Sequence, residues 1–194
     1  MLIYMIRHGQ TDWNAQIRLQ GQKDIPLNDT GRAQASGNGR KLAELLGQSA
    51  STYDFVASPL GRTRETMERM RAAMGLPPLA YRTDDRLKEL SFGDWEGHTL
   101  EELESIAPER VAERELSKWD FIPPGQDAES YEILSWRVGA WLADITTPTV
   151  AVAHGGVIRT LFKLCGEMTP EEAAMGAIPQ DRILKMENGK IGWL

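Results

Sequence analysis

The chain has 194 residues, 41% of them hydrophobic, a single cysteine and a formal net charge of −6. That length and apolar share suffice for one domain with a substantial core, whereas the negative balance argues against a general binder of nucleic acid or membrane surfaces, because both polyanions reward broad basic faces. The lone Cys165 excludes an internal disulfide framework and a thiolate zinc site.

Leu2 to Ile6 is a short apolar run of the kind that forms a strand buried on both faces. It is too short for a signal-peptide core or a bilayer span, so the mature chain is expected to start at or near Met1 and to work in a reducing cytoplasm. Arg7, His8 and Gly9 follow directly. A helix is predicted from about Thr30 to Leu46, stopped at Gly47, with its apolar stripe interrupted by Gly37 and Gly39. Tyr53 to Ala57 predicts a second buried strand. Leu60, Thr63, Met67, Met70 and Met74 then recur at spacings of three and four, and Gly75 with Pro77 closes that helix.

From Gly93 to Glu129 the pattern changes to acidic helix with scattered aromatics, opened by a capping box over Thr99 to Glu102. This segment, about 93–129, reads as a cap inserted into a single domain spanning 1–194, with Pro123-Pro124-Gly125 as a turn inside it. Tyr131, Leu134, Val138, Trp141 and Leu142 mark the next amphipathic helix. Thr149 to Ala153 is a third buried strand, and Val157, Ile158, Leu161, Phe162 and Cys165 stripe the helix after it, ended by Gly166. Arg182 to Glu187 and Ile191 to Leu194 predict late strands around an Asn188-Gly189 turn. Strands alternating with helices imply an α/β layered domain.

Each of the three predicted parallel strands runs into residues suited to chemistry: Arg7-His8-Gly9, then Ser58-Pro59-Leu60-Gly61-Arg62, then His154-Gly155-Gly156. Open α/β sheets bind ligands beyond the carboxyl ends of their strands, so the clusters are expected to converge in one crevice. A neutral imidazole at His8 can attack phosphorus and split one hard displacement into two easier ones. Taken alone, a histidine there more often just closes a strand-to-loop turn; its neighbours change that reading. Arg7 and Arg62 are planar, permanently charged forks that match phosphate oxygens and stabilise charge spread over them during transfer. Arg64, Arg69 and Arg71 share the helix of Arg62, but only Arg62 lies at the strand end. His154 precedes two glycines, which let backbone approach an anion at a helix amino terminus. Protonated, His154 would be a third cation.

Together, Arg7-His8-Gly9-Gln10-Thr11-Asp12-Trp13-Asn14, Ser58-Pro59-Leu60-Gly61-Arg62 and His154-Gly155-Gly156-Val157-Ile158-Arg159 resemble the histidine phosphatase superfamily, also called phosphoglycerate-mutase-like, nearly end to end. The resemblance implies a three-layer α/β/α sandwich with a mostly parallel central sheet, no metal, no cofactor, and a phosphohistidine on His8. It assigns Arg7, Arg62 and His154 to the phosphate pocket, with Asn14 and Gly155 as further substrate contacts. The segment from Leu87 to Gly97 matches the stretch that supplies the family's proton donor, which falls on Glu89. A carboxyl group has its own logic there, because a departing alkoxide needs a proton and the incoming water must later lose one.

Within the family, the mutase branch carries an arginine just after the acid, a tyrosine before the glycine and a lysine a few residues on; here stand Leu90, Phe92 and no lysine before Lys118. The chain instead resembles the phosphatase branches, including α-ribazole phosphatase-like proteins. Their Pro-Gly-Gly-Glu-Ser stretch is matched imperfectly by Pro124-Gly125-Gln126-Asp127-Ala128-Glu129-Ser130. The expected reaction is hydrolysis of a small phosphorylated metabolite; a mutase and a non-catalytic phospho-ligand binding module are the alternatives. No nucleic acid or membrane partner is expected, and the oligomeric state is open. With only His8, His98 and His154, and no metal-spaced pair among them, a metal site is not expected. His98 reads as surface and Cys165 as core, while Trp119 and Phe121 are open between cap packing and substrate contact.

Overall fold

The computed structural model describes all residues, Met1 to Leu194. In chain order the elements are β1 (Leu2–Arg7), α1 (Asp12–Ala15), α2 (Asp29–Leu46), β2 (Asp54–Ala57), α3 (Gly61–Ala73), β3 (Arg82–Thr83), α4 (Leu100–Ile106), α5 (Pro108–Leu116), α6 (Tyr131–Ala143), β4 (Thr149–Ala153), α7 (Gly155–Leu164), α8 (Pro170–Met175), β5 (Ile183–Glu187) and β6 (Lys190–Trp193). The six strands form one sheet in the order β3-β2-β4-β1-β5-β6. Pairings among β3, β2, β4 and β1 are parallel, and β5 and β6 add an antiparallel edge.

Alternation along the strands sends side chains to two separate cores, as a sheet covered on both faces requires. Ile3, Met5, Ala151 and Ala153 face α6 and α7, meeting Leu134, Val138, Trp141, Val157, Ile158 and Leu161. Tyr4, Ile6, Val150 and Val152 face the other way, against Leu42 and Leu46 of α2 and Met67 and Met70 of α3. This is the three-layer sandwich that the resemblance implies. Leu42 is fully buried, so Leu42→Ala is expected to lower unfolding free energy by about 2–5 kcal/mol in denaturant titration, through lost transfer energy plus the cavity left behind.

The glycines that break the α2 stripe belong to the helix packing. A Cβ on Gly39 would lie 2.5 Å from the Met70 carbonyl oxygen, so the backbones of α2 and α3 approach where a side chain would not fit. The predicted long elements occur with boundary shifts of one or two residues. α2 starts at Asp29 because the Asn28 side chain caps it, accepting from Gly31 N at 2.9 Å. The last two strands join through Asn188 and Gly189, both at positive φ (52° and 79°), as a tight hairpin turn demands. Missed from sequence were the short α1, α8 and β3, each too brief to display a period.

Segment 93–129 contains α4 and α5, with a break at Ala107, and it gathers a small cluster of its own from Trp95, Leu103, Val111 and Phe121. Trp119 is 4% and Phe121 7% exposed. Trp119 stacks on Tyr131 and Phe121 packs against Trp95, so both aromatics are packing residues. His98 lies at the surface, and Cys165 packs at the rim of the larger core.

Candidate active site

Register brings the three strand ends together. β1, β4 and β2 are neighbours, with Arg7 opposite Ala153 and Ala57 opposite Val152. The ladder runs one residue past each strand: His8 N donates to Ala153 O at 3.0 Å and Ser58 N to Val152 O at 3.0 Å. The first residues after β1, β2 and β4 are therefore His8, Ser58 and His154, side by side. The two imidazoles meet edge to face with centroids 5.2 Å apart.

Hydrogen bonds assign the tautomer of His8. His8 Nδ1 lies 2.8 Å from Gly9 O and donates to it, leaving Nε2 with its lone pair; Nε2 accepts from Arg62 Nε at 3.3 Å. His154 Nε2 pairs with the Ser58 hydroxyl at 2.8 Å, a group that can donate or accept. Both rings are buried. Desolvation, then Arg62 and Arg7, hold the His8 pKa well below the ordinary histidine value; desolvation, then Arg62, His8, Arg137 and Arg7, do the same for His154. Only a protonated His154 would be a third cation, and this burial favours its neutral form, which carries one N–H.

A proton gained in the unfolded chain but refused by the folded one makes stability fall with acidity. Both histidines have depressed native pKa values, so their contribution is present above about pH 6.5 and is lost as pH falls below it, at about 1.4 kcal/mol per pH unit for each. Thermal melts between pH 7 and 5 are expected to show this fall. Inorganic phosphate should reduce it, since a bound anion raises both pKa values.

Arg62 enters the pocket from the first turn of α3 with a side chain almost wholly buried. Its Nη1 and Nη2 donate to Lys23 O at 2.7 Å and Gly21 O at 2.6 Å, and Asp24 lies 3.6 Å from Nη1. Asp24 also accepts from Gly61 N and Arg62 N, capping α3 from the loop of residues 20–24. The Gln20 amide is satisfied at both ends when its nitrogen donates to Thr11 Oγ1 at 2.8 Å and its oxygen accepts from Arg62 Nη1 at 3.1 Å. Arg7 anchors one end of its fork on Ile178 O at 2.7 Å, and its Nε faces the first turn of α7, 3.6 Å from where a Gly155 Cβ would stand. Desolvation and the neighbouring Arg159 lower its pKa to about 10, which leaves it charged at neutral pH.

Glu89 sits in irregular chain between β3 and α4, yet its carboxylate reaches the amino terminus of α7. Gly156 N donates to both of its oxygens at 3.1 Å, and Leu90 N to Oε1 at 2.9 Å. A Cβ on Gly156 would fall 2.3 Å from Glu89 Oε1, so the second glycine is the space in which the carboxylate rests. Gly156 thus lets backbone approach an anion at a helix amino terminus, and that anion is the Glu89 carboxylate. Asn14 stands at the rim, half-buried, with its oxygen accepting from Thr11 N at 3.2 Å and Gln180 Nε2 at 3.1 Å. Gln180 Nε2 also donates to His8 O at 3.0 Å.

Three buried side-chain nitrogens lack a partner: Arg7 Nε, His154 Nδ1 and Trp141 Nε1. The third belongs to the α6 core, but the first two lie in this one pocket, beside the Nε2 lone pair of His8. An orphaned guanidinium donor and an unpartnered imidazole nitrogen beside one nucleophile describe a site shaped for an anion with an electrophilic centre. Ser58, Gln20, Asp24, Gln180 and Arg137 are working parts that sequence reasoning left without a role. Only Ser58 carried a signal, its position at a strand end.

The family model described as histidine phosphatase superfamily (branch 1) matches residues 3–193. Phosphoglycerate mutase-like protein 4 of Arabidopsis thaliana is 35% identical over 166 residues, covering 83% of this chain and 69% of that protein. Glucosyl-3-phosphoglycerate phosphatase of Mycobacterium tuberculosis is 35% identical over 173 residues, covering 82% and 72%. The solved native structure of a mycobacterial glucosyl-3-phosphoglycerate phosphatase superposes with a TM-score of 0.75 at 30% identity, covering 95% of this chain and 88% of that one.

Proposed function

Because this chain belongs to branch 1 of the histidine phosphatase superfamily and is a phosphomonoester hydrolase of that type, we propose that His8 is its nucleophile and that water is the final acceptor of the phosphoryl group. The observation that carries the assignment is the pair of unpartnered buried nitrogens, Arg7 Nε and His154 Nδ1, beside the unprotonated His8 Nε2. Phosphoryl oxygens supply the missing partners. Arg62 Nε, now on His8 Nε2, turns to the substrate and frees the lone pair for in-line attack. Asn14, whose oxygen is engaged while its amide hydrogens have no protein partner, and the Gly155 backbone N–H add donors at the rim.

In the first step the Nε2–P bond forms, the ester P–O bond breaks, and Glu89 in its acid form gives the leaving oxygen its proton. In the second, the Glu89 carboxylate takes a proton from water, the water oxygen attacks phosphorus, and the N–P bond breaks to return neutral His8. The substrate is a small phosphorylated metabolite.

Hydrolysis is favoured over mutase chemistry by Leu90 and Phe92, one and three positions after the acid. Leu90 is 3% exposed within the larger core and Phe92 packs against it, so neither offers a cation or donor to a substrate carboxylate. A panel of phosphorylated metabolites, read for free phosphate against isomerised product, tests this. Free phosphate in stoichiometric yield is expected, with an alkali-stable, acid-labile label on His8. Isomerised product without phosphate release would overturn the reading.

A further inference from the structure

Glu89 is the proposed proton carrier, yet its chain segment belongs to no strand or helix. Only Asp85–Leu87 forms a short 3-10 turn, and residues 88–91 pair with no ladder. Backbone carbonyls deprived of a sheet partner must find donors elsewhere, and here one side chain supplies them. Arg137, on α6, donates through Nη1 to Arg86 O at 2.8 Å and to Lys88 O at 2.6 Å, and through Nη2 to Glu89 O at 3.0 Å.

The same guanidinium is held by Glu129 in a fork-to-fork pair, Nε to Oε1 at 2.9 Å and Nη2 to Oε2 at 2.8 Å. All five N–H donors of the arginine are thereby used. Glu129 closes the loop from the other side: its Oε2 accepts from Ser91 N at 3.1 Å and its own N donates to Ser91 O at 3.0 Å. The carbonyls at 86, 88 and 89 and the amide at 91 are thus fixed by one half-buried ion pair with side-chain exposures of 20% and 16%. Gln22 Nε2 adds a single bond to Glu89 O at 3.1 Å from the opposite side.

We propose that Arg137 and Glu129 are positioning residues that hold Glu89 where its carboxylate can exchange a proton with the leaving oxygen. Neither side chain makes contact with the reacting atoms. The inference rests on Glu89 acting as the acid, and the test separates the two claims. A leaving group as good as dinitrophenolate needs no proton, whereas the alkoxide of glycerol does. In kcat/KM, which reports phosphoryl transfer to His8 alone, a displaced acid therefore penalises glycerol phosphate and spares dinitrophenyl phosphate. A general loss of structure penalises both.

Glu89→Gln is the reference, expected to lower kcat/KM for glycerol phosphate ~10²–10⁴-fold with little change for the dinitrophenyl ester. Arg137→Lys retains the charge but cannot grip two carboxylate oxygens and three carbonyls at once. It is expected to lose about 10–100-fold on glycerol phosphate, as supporting partners of a reactive group commonly do, and less than about threefold on the dinitrophenyl ester. Glu129→Gln, which keeps size and one acceptor, should show the same split more weakly. A split in Glu89→Gln that is absent from both clamp variants overturns the clamp alone; no split in Glu89→Gln overturns the role of Glu89. Equal losses on both esters, or failure of both clamp variants to fold, make the pair a structural brace and refute the proposal.

Discussion

His8→Ala is expected to lower kcat by ~10⁴-fold or more, because loss of a nucleophile removes the covalent route itself and leaves only what binding and electrostatics contribute. The pocket makes the effect specific. His8 is held by the ladder bond to Ala153, by Gly9 O on Nδ1 and by Arg62 on Nε2, and no other imidazole can stand in. His154 has its Nε2 committed to Ser58. Phosphate release from an aryl phosphate, measured beside a thermal melt that shows the variant folded, checks the prediction. Activity within tenfold of the wild type would rule out His8 as nucleophile.

Arg62→Lys is expected to cost about 10³-fold in kcat, near the lower end of what a charge-stabilising arginine contributes to phosphoryl transfer. Charge is conserved in this variant, so the loss reports geometry. Arg62 needs Nη1 and Nη2 on Lys23 O and Gly21 O to hold its plane while Nε faces His8 Nε2. A lysine ammonium can reach one such partner but cannot hold a plane against two carbonyls and a phosphoryl oxygen together. Steady-state assays should therefore show a fall in kcat larger than any rise in KM. A variant changed only in KM would mean that Arg62 binds ground state and transition state alike.

Much of this pocket was legible in the sequence, for an identifiable reason. A parallel strand buried on both faces is a continuous apolar run, and such runs at Leu2, Tyr53 and Thr149 located three strand ends to within a residue. The side chains that follow them are those that converge. The resemblance added Glu89 and Asn14, which no periodicity indicates. What remained hidden depends on tertiary geometry. The neutrality of His154 follows from complete burial near three arginines, Arg62, Arg137 and Arg7, which adjacency in sequence does not report. Glu129 and Arg137 lie eight residues apart across a helix start, and only the path of the 86–91 loop beneath α6 turns an unremarkable acid and base into a clamp. The glycines after His154 let backbone approach an anion, and only the fold shows that at Gly156 this anion is the enzyme's own carboxylate.

These features make one consistent picture of the pocket. Glu89 rests on the amino terminus of α7, His154 is neutral with Nδ1 unpartnered, and Arg62 covers the lone pair of His8. An arriving phosphate ester offers acceptors to the donors of Arg7 and Arg62. It can then draw the carboxyl group away from Gly156 towards the leaving oxygen.

The most direct test of phosphoryl transfer through His8 is the stereochemical course at phosphorus, which requires no intermediate to accumulate. An aryl phosphorothioate made chiral at phosphorus by sulfur and two oxygen isotopes is hydrolysed in water of the third isotope, and the configuration of the inorganic thiophosphate is determined. Two in-line displacements, first by His8 Nε2 and then by water, retain configuration, and retention is the result this structure predicts. Inversion, the mark of a single direct attack by water, would contradict it.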